Sequence, residues 1–154
     1  MHILSSGQAS GIEDRHTLHT VVDSSIEWSG RIVDMVEDRV VVVEGEQPVV
    51  RQYTRHPGAV AVVAMRGEVG CEEVLLERQY RHPVRASLWE IPAGLLDIPG
   101  EDPLVAAERE LAEETDLKAG CWDVLVDFFT SPGGSTEPIR VFLASRPRAH
   151  GTDL

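Results

Sequence analysis

Short runs rich in Val, Ile and aromatic residues, punctuated by Gly, Pro and Asp, make up most of this chain, and a single stretch in its second half carries helical periodicity. GRIVDMVEDRVVVVEG predicts a β-hairpin turning at Glu37 and Asp38, with β-branched residues on both arms. HPGAVAVVAMRG predicts a buried strand from about Ala59 to Met65, and EEVLLERQYR predicts another, reached across the Gly67 to Gly70 turn. Leu88 to Ile91 reads as a third strand, closed by Pro92 and Gly94. CWDVLVDFF and IRVFLAS are two more, joined by the TSPGGSTEP loop, and no segment repeats internally.

The helical stretch begins at Asp102, whose carboxylate can cap the amide donors of the first turn, with Pro103 at the first helical position, where its missing N–H costs nothing. Leu104, Ala107 and Leu111 then fall three and four apart and make an apolar stripe. Strands on both sides of one helix indicate an α/β fold, a mixed sheet with the helix packed on its face. Residues 1–18 read as a flexible N-terminal segment, 19–54 as a small β-domain, and 55–154 as the main domain.

At 154 residues, 42% of them hydrophobic, the chain is long enough to bury a core. A net charge of −12 and a pI near 4.8 exclude a general nucleic-acid or membrane-surface role, because most of the surface repels polyanions. Cys71 and Cys121 are too few for a disulfide framework and lack CxxC spacing, which points to a reducing cytoplasm. The opening residues have no basic start followed by an apolar core, and no segment has the length of a membrane span.

Acidic side chains carry the candidate chemistry. Glu110 and Glu114 lie one helical turn apart and point the same way, with Glu113 beside them. Such a face is ordinarily just solvated, but like charges at this spacing cost an isolated helix a few tenths of a kcal/mol. A hard divalent cation such as Mg²⁺ would relieve that cost through oxygen ligands. Arg109 is placed to hold one carboxylate by a charge-assisted hydrogen bond, and Glu101 is a second partner for it.

These residues resemble the box of the Nudix hydrolase family: Gly, five residues, Glu, seven residues, Arg-Glu-apolar-any-Glu-Glu-any-Gly-apolar. Glu101 is followed after seven residues by Arg109-Glu110-Leu111-Ala112-Glu113-Glu114-Thr115, with Leu117 at the final apolar place. Two departures stand out: six residues separate Gly94 from Glu101, and Asp116 occupies the place of the second Gly. The first adds a residue to a loop, where length costs little closure entropy, and the second puts Asp where a left-handed Gly often ends a helix. HPGAVAVV, LLERQYR, WEIPAGLLD and SPGGSTE resemble, in order and spacing, the ADP-ribose pyrophosphatase subfamily, across roughly Arg51 to Ser145.

The resemblance implies an α/β/α sandwich with an N-terminal β-domain that forms a homodimer and reaches toward the partner's site. It implies Mg²⁺, with Mn²⁺ as the alternative ion, held by the backbone carbonyl of Ala93 and by Glu110, Glu113 and Glu114. The implied reaction is hydrolysis of the diphosphate of ADP-ribose to AMP and ribose 5-phosphate, with Glu113, Glu114 and Arg109 in the catalytic machinery. Arg81 would clamp the diphosphate, Arg51 would lie near the adenosine and Glu137 would recognise the terminal ribose, while Ser131 and Gly133 would present the backbone of the SPGGSTE loop to the ligand. His56 and His82, each next to Pro, read as loop histidines, and any one of Trp28, Trp89 and Trp122 reads first as packing. The family carries a further Glu on a loop beyond SPGGSTE. Here the chain reads SRPRAHGTDL to Leu154, with Asp153 and no Glu, so a C-terminally short domain is expected. Two alternatives therefore stand beside the main reading: hydrolysis of another nucleoside diphosphate sugar, and a non-catalytic ADP-ribose-binding module.

Overall fold

The computed structural model of the chain describes residues 14–145 and 148–149. Most of the expected flexible N-terminal segment, and most of the SRPRAHGTDL end, lie outside the described residues. The strands are β1 (Thr20–Ser29), β2 (Asp34–Val41), β3 (Val49–Arg55), β4 (Ala59–Arg66), β5 (Glu73–Val74), β6 (Glu77–Arg81), β7 (Ala86–Glu90), β8 (Ala93–Leu95), β9 (Leu117–Lys118), β10 (Cys121–Phe129), β11 (Pro138–Ser145) and β12 (Arg148–Ala149). One α-helix, α1 (Pro103–Thr115), occurs among the described residues, and a short 3₁₀ turn spans His82–Val84.

β4 is the centre of the main sheet. Along one edge it pairs in parallel with β11, which pairs antiparallel with β10; along the other it pairs with β8 at its start and with β5 at its end. A strand flanked on both edges and covered by a helix should be apolar nearly throughout, and Ala59, Val60, Ala61, Val62 and Ala64 are all buried. Val60, Val62 and Ala64 face α1, where Ala106, Ala107 and Leu111 meet them together with Phe142 and Ala144 of β11. Fully burying a side chain such as Leu111 is worth about 2 kcal/mol, so this contact fixes the helix on the sheet. The buried stripe includes Ala106 beside the expected Ala107 and Leu111, while Leu104 is only partly buried. The mixed sheet with a helix on its face is as expected. The second helical layer of an α/β/α sandwich has no counterpart among the described residues.

The helix ends follow from local chemistry. Asp102 is extended (φ −67°, ψ 135°), and its Oδ1 accepts from the Leu104 N–H at 2.8 Å, with Pro103 at the first helical position. Asp116 ends the helix in the left-handed region (φ 56°, ψ 26°), its N–H donating to Ala112 O at 3.0 Å. This conformation suits glycine, because a Cβ there crowds the neighbouring carbonyl. Asp116→Gly is therefore expected to stabilise the protein by about 0.5 to 1 kcal/mol, a rise of a few degrees in Tm. A thermal melt with an unchanged or lower midpoint would contradict the strain.

Three strand expectations need correction. Glu37 and Asp38 do not form a turn but lie inside β2, the middle strand of a three-stranded antiparallel sheet with β1 and β3. Across the ladder Gln52 Nε2 donates to Glu37 at 2.7 Å and the Tyr53 hydroxyl donates to Asp38 Oδ2 at 3.0 Å, while Asp38 Oδ1 is buried with no hydrogen-bond partner among the described residues. The turns fall instead at Gly30, whose N–H donates to Val33 O, and at 43–46, where Gly45 has φ 84°. EEVLLERQYR is not one strand but two, β5 and β6, in different sheets. The break comes at Leu75, whose N–H donates to Ala64 O at 2.9 Å while its side chain packs against the core. The strand expected at Leu88 to Ile91 is β7, which runs instead from Ala86 to Glu90 and among the described residues pairs with β6 alone, and Pro92 separates it from β8.

Candidate active site

β8 and α1 create the site between them. Gly94 pairs with Val60 of β4, so its Cα faces the helix at close range. A Cβ built on Gly94 would lie 1.9 Å from Glu110 Cδ and 2.1 Å from its Cγ. Glu110 thus rests directly on the glycine, and one turn along, Glu114 accepts from the Ala93 N–H at 3.3 Å. The two carboxylates that sequence placed on one helix face stand side by side over the Ala93–Gly94 backbone.

Arg109 frames this pair. Its Nε and Nη2 donate to the two oxygens of Glu101 at 3.2 and 3.1 Å, and its Nη1 donates to Glu110 at 2.5 Å and lies 3.6 Å from Glu113. The bond to Glu101, and next that to Glu110, holds the guanidinium still more firmly in its charged form, against the opposing effect of burial. Glu110 is only 15% exposed in its side chain, while Glu113 is 62% exposed and faces solvent. Arg109 acts here by orienting Glu110.

Burial, then the negative charge of Glu77, and also that of Glu110, raise the carboxyl of Glu114 above its ordinary pKa, while the Ala93 N–H and Arg81 pull the other way. The field around Glu114 is one of excess negative charge, which a cation would relieve. Hard oxygen donors at Glu110 and Glu114, beside the Ala93 main chain, fit a divalent ion such as Mg²⁺. Among the described residues no three acidic, His or Cys side chains converge tightly enough to hold an ion by themselves. The ion would therefore draw on main-chain, substrate or water oxygens as well, as Mg²⁺ generally does.

Arg81, the expected clamp, sits in the β6–β7 hairpin and forms a two-pronged pair with Glu90. That bond, ahead of the opposing burial and then the charges of Glu90, Glu77 and Glu114, raises its pKa. Glu77 and Glu90 were not legible as site residues, because the register that brings them to this face is a property of the hairpin and not of local spacing.

A second group forms around the SPGGSTE loop. Thr54 N–H donates to Gly134 O at 2.9 Å and Thr136 N–H returns a bond to Thr54 O at 3.0 Å, docking the loop on the end of β3. Arg51, Gln52 and Tyr53 thereby share an open cleft of ≈ 280 Å³ with Pro132, Gly133, Ser135 and Thr136. Ser131 supplies the turn, its carbonyl accepting from Gly134 and Ser135. Glu137 accepts from the Thr130 hydroxyl at 2.5 Å and lies 3.6 Å from His56 Nε2. His56 Nδ1 accepts from the Gly58 N–H at 3.0 Å, which places the proton of the neutral ring on Nε2, facing Glu137. Gly58 O in turn accepts from Leu96 N–H at 3.0 Å, so this group and the carboxylates of α1 sit at the same end of the sheet. Among the tryptophans, Trp122 packs edge-on against Phe142, and Trp89 is exposed beneath the Arg78 guanidinium at 5.9 Å.

A helix presenting spaced carboxylates to a glycine of a mixed sheet defines the class, and the model of the NUDIX domain matches residues 54–153. The chain belongs to the NUDIX family. It is 43% identical over 141 residues to an ADP-ribose pyrophosphatase of Mycobacterium tuberculosis, covering 88% of this chain and 66% of that protein. It is 44% identical over 117 residues to a methanol dehydrogenase activator of Bacillus methanolicus, covering 76% of this chain and 60% of that protein. The chain thus spans between 60% and 66% of the length of these relatives. A crystal structure described as an ADP compounds hydrolase superposes with a TM-score of 0.67 at 21% identity, covering 89% of this chain and 72% of that one, which is a likeness of fold. Among the described residues no helix is long and apolar enough to cross a membrane.

Proposed function

We propose that this chain hydrolyses the diphosphate of ADP-ribose to AMP and ribose 5-phosphate in the cytoplasm. The observation that carries the reading is the stacking of Glu110 and Glu114 over Ala93–Gly94, supported by the ADP-ribose pyrophosphatase relative. Glu110 and Glu114, with Glu113 and the carbonyl of Ala93, would hold Mg²⁺ or Mn²⁺. Bound there, the ion would acidify a water and neutralise developing phosphate charge. Arg109 keeps Glu110 turned toward Gly94, Arg81 offers its guanidinium to the diphosphate, and Arg51 meets the nucleoside end. Ser131 and Gly133 present the loop backbone to the ligand, with Glu137 at its end.

The homodimer is part of the same reading. Every residue of β1 is exposed, and Val21, Val22, Ile26 and Trp28 are each at least half so. An apolar surface of that kind marks an interface, and a second copy of the N-terminal sheet is the proposed cover.

Incubation with ADP-ribose and Mg²⁺, with AMP followed by chromatography, tests the activity, and AMP is expected to appear only with the ion present. Failure to release AMP at enzyme concentrations matching the substrate would defeat the reading. Sedimentation of the same preparation is expected to give twice the chain mass.

A further inference from the structure

The β6–β7 hairpin carries a carboxylate for which the reading above has no use. Glu90 ends β7 and stands directly opposite Glu77 of β6. Like charges opposed on one face of an antiparallel pair weaken it, so the pairing of Glu90 with Glu77 does not by itself favour either residue. Arg81 lies on the same face at the other end of β6, opposite Ala86. It lies four positions along the strand from Glu77, ~13 Å at about 3.3 Å per residue. Its Nε nevertheless lies 3.0 Å from both oxygens of Glu90, and its Nη2 donates to one of them at 2.5 Å. To make these bonds the side chain folds back along the hairpin, away from the tip at His82–Val84 and toward the Pro92–Ala93 end. There the chain meets Glu114 through the Ala93 N–H.

We infer that Glu90 is a positioning residue for Arg81, holding its guanidinium beside the carboxylate helix with donors left over for the diphosphate of a nucleoside diphosphate sugar. The inference rests on the reading of Arg81 as the diphosphate clamp. A guanidinium carries five N–H donors, and Glu90 engages the Nε–H and one on Nη2, leaving Nη1 and the other Nη2 hydrogen to a phosphate oxygen. An arginine already fixed by a carboxylate loses less freedom when it binds, and the fork remains oriented for a second oxyanion. Without Glu90, Arg81 would extend from an exposed hairpin edge, and the charge would be present but misplaced.

The test uses the full chain and the non-hydrolysable α,β-methylene analogue of ADP-ribose with Mg²⁺, measured by calorimetry beside steady-state turnover of ADP-ribose. Glu90→Gln is expected to weaken analogue binding about tenfold and to raise KM by a similar factor, with kcat within about twofold, as loss of one well-aimed charged contact predicts. Glu90→Asp, which keeps the charge and shortens the reach, should fall between the two. In an Arg81→Ala background, Glu90→Gln should change binding by less than about twofold, because coupled residues are not additive. A merely structural Glu90 would instead lower Tm and weaken binding equally with or without Arg81, and that pattern overturns the proposal. Weakened binding by Arg81→Ala with unaltered binding by Glu90→Gln also overturns it, and leaves the clamp standing. If Arg81→Ala binds the analogue like the parent chain, the clamp fails and the positioning role falls with it.

Discussion

Glu114→Gln is expected to lower Mg²⁺-dependent hydrolysis on the order of 10³-fold, because withdrawing about 4 kcal/mol of ion-borne charge stabilisation corresponds to that factor. The fold should not suffer. Gln keeps the shape and still offers an oxygen to the Ala93 N–H, which Glu114 now engages at 3.3 Å. Burial and the neighbouring negative charges of Glu77 and Glu110 raise the pKa of this carboxyl. A carboxyl whose pKa is higher folded than unfolded is one whose ionised form opposes folding at neutral pH. Removing the charge should therefore leave Tm equal or higher in the absence of metal. Added Mg²⁺ should raise Tm of the parent chain and much less that of the variant, since only a bound ligand shifts the folding equilibrium. Unchanged turnover, or an equal response to Mg²⁺ in both proteins, would remove Glu114 from the site.

Gly94→Ala is expected to reduce activity by about 10²-fold through geometry alone, since misplacing a group by an ångström costs on that order. The added Cβ would sit 1.9 Å from Glu110 Cδ, far inside contact distance. Glu110 has little room to retreat, with one oxygen bonded to Arg109 at 2.5 Å and the side chain largely buried. Either Glu110 leaves the glycine and breaks that bond, or β8 shifts against β4 at the Val60 pairing. The strain should cost about 1 to 3 kcal/mol of stability as an overpacked contact. Calorimetric titration with Mn²⁺ should show weakened metal binding in this variant. Parent-like metal affinity together with parent-like activity would mean that Glu110 does not need its present position.

What was legible in the sequence was short-range. Asp102, Pro103 and the spacing of Ala107 and Leu111 specify a helix whose start and buried face depend only on residues within a few turns. The same periodicity sets Glu110 and Glu114 on one side. It also brings Arg109 within reach of Glu110 and Glu113, while its bond to Glu101 follows from the turn just before the cap. Strand content was largely readable from β-branched runs, but strand partnership was not. Glu37 and Asp38 looked like a turn because Asp disfavours strands, whereas Gln52 and Tyr53 of β3, fifteen residues on in each case, supply the partners that keep them in one.

By itself, then, the sequence determined the carboxylate helix, its cap and the motif that defines the family, since each is a matter of neighbours along the chain, whereas the seat of Glu110 on Gly94 came from the pairing of β8 with β4. Tertiary structure alone decided that EEVLLERQYR divides at Leu75, that Glu90 takes hold of Arg81, and that the SPGGSTE loop docks on Thr54 next to Arg51. Those outcomes depend on which strand edges remain open and which buried donors need acceptors, and such accounts close only when distant segments meet.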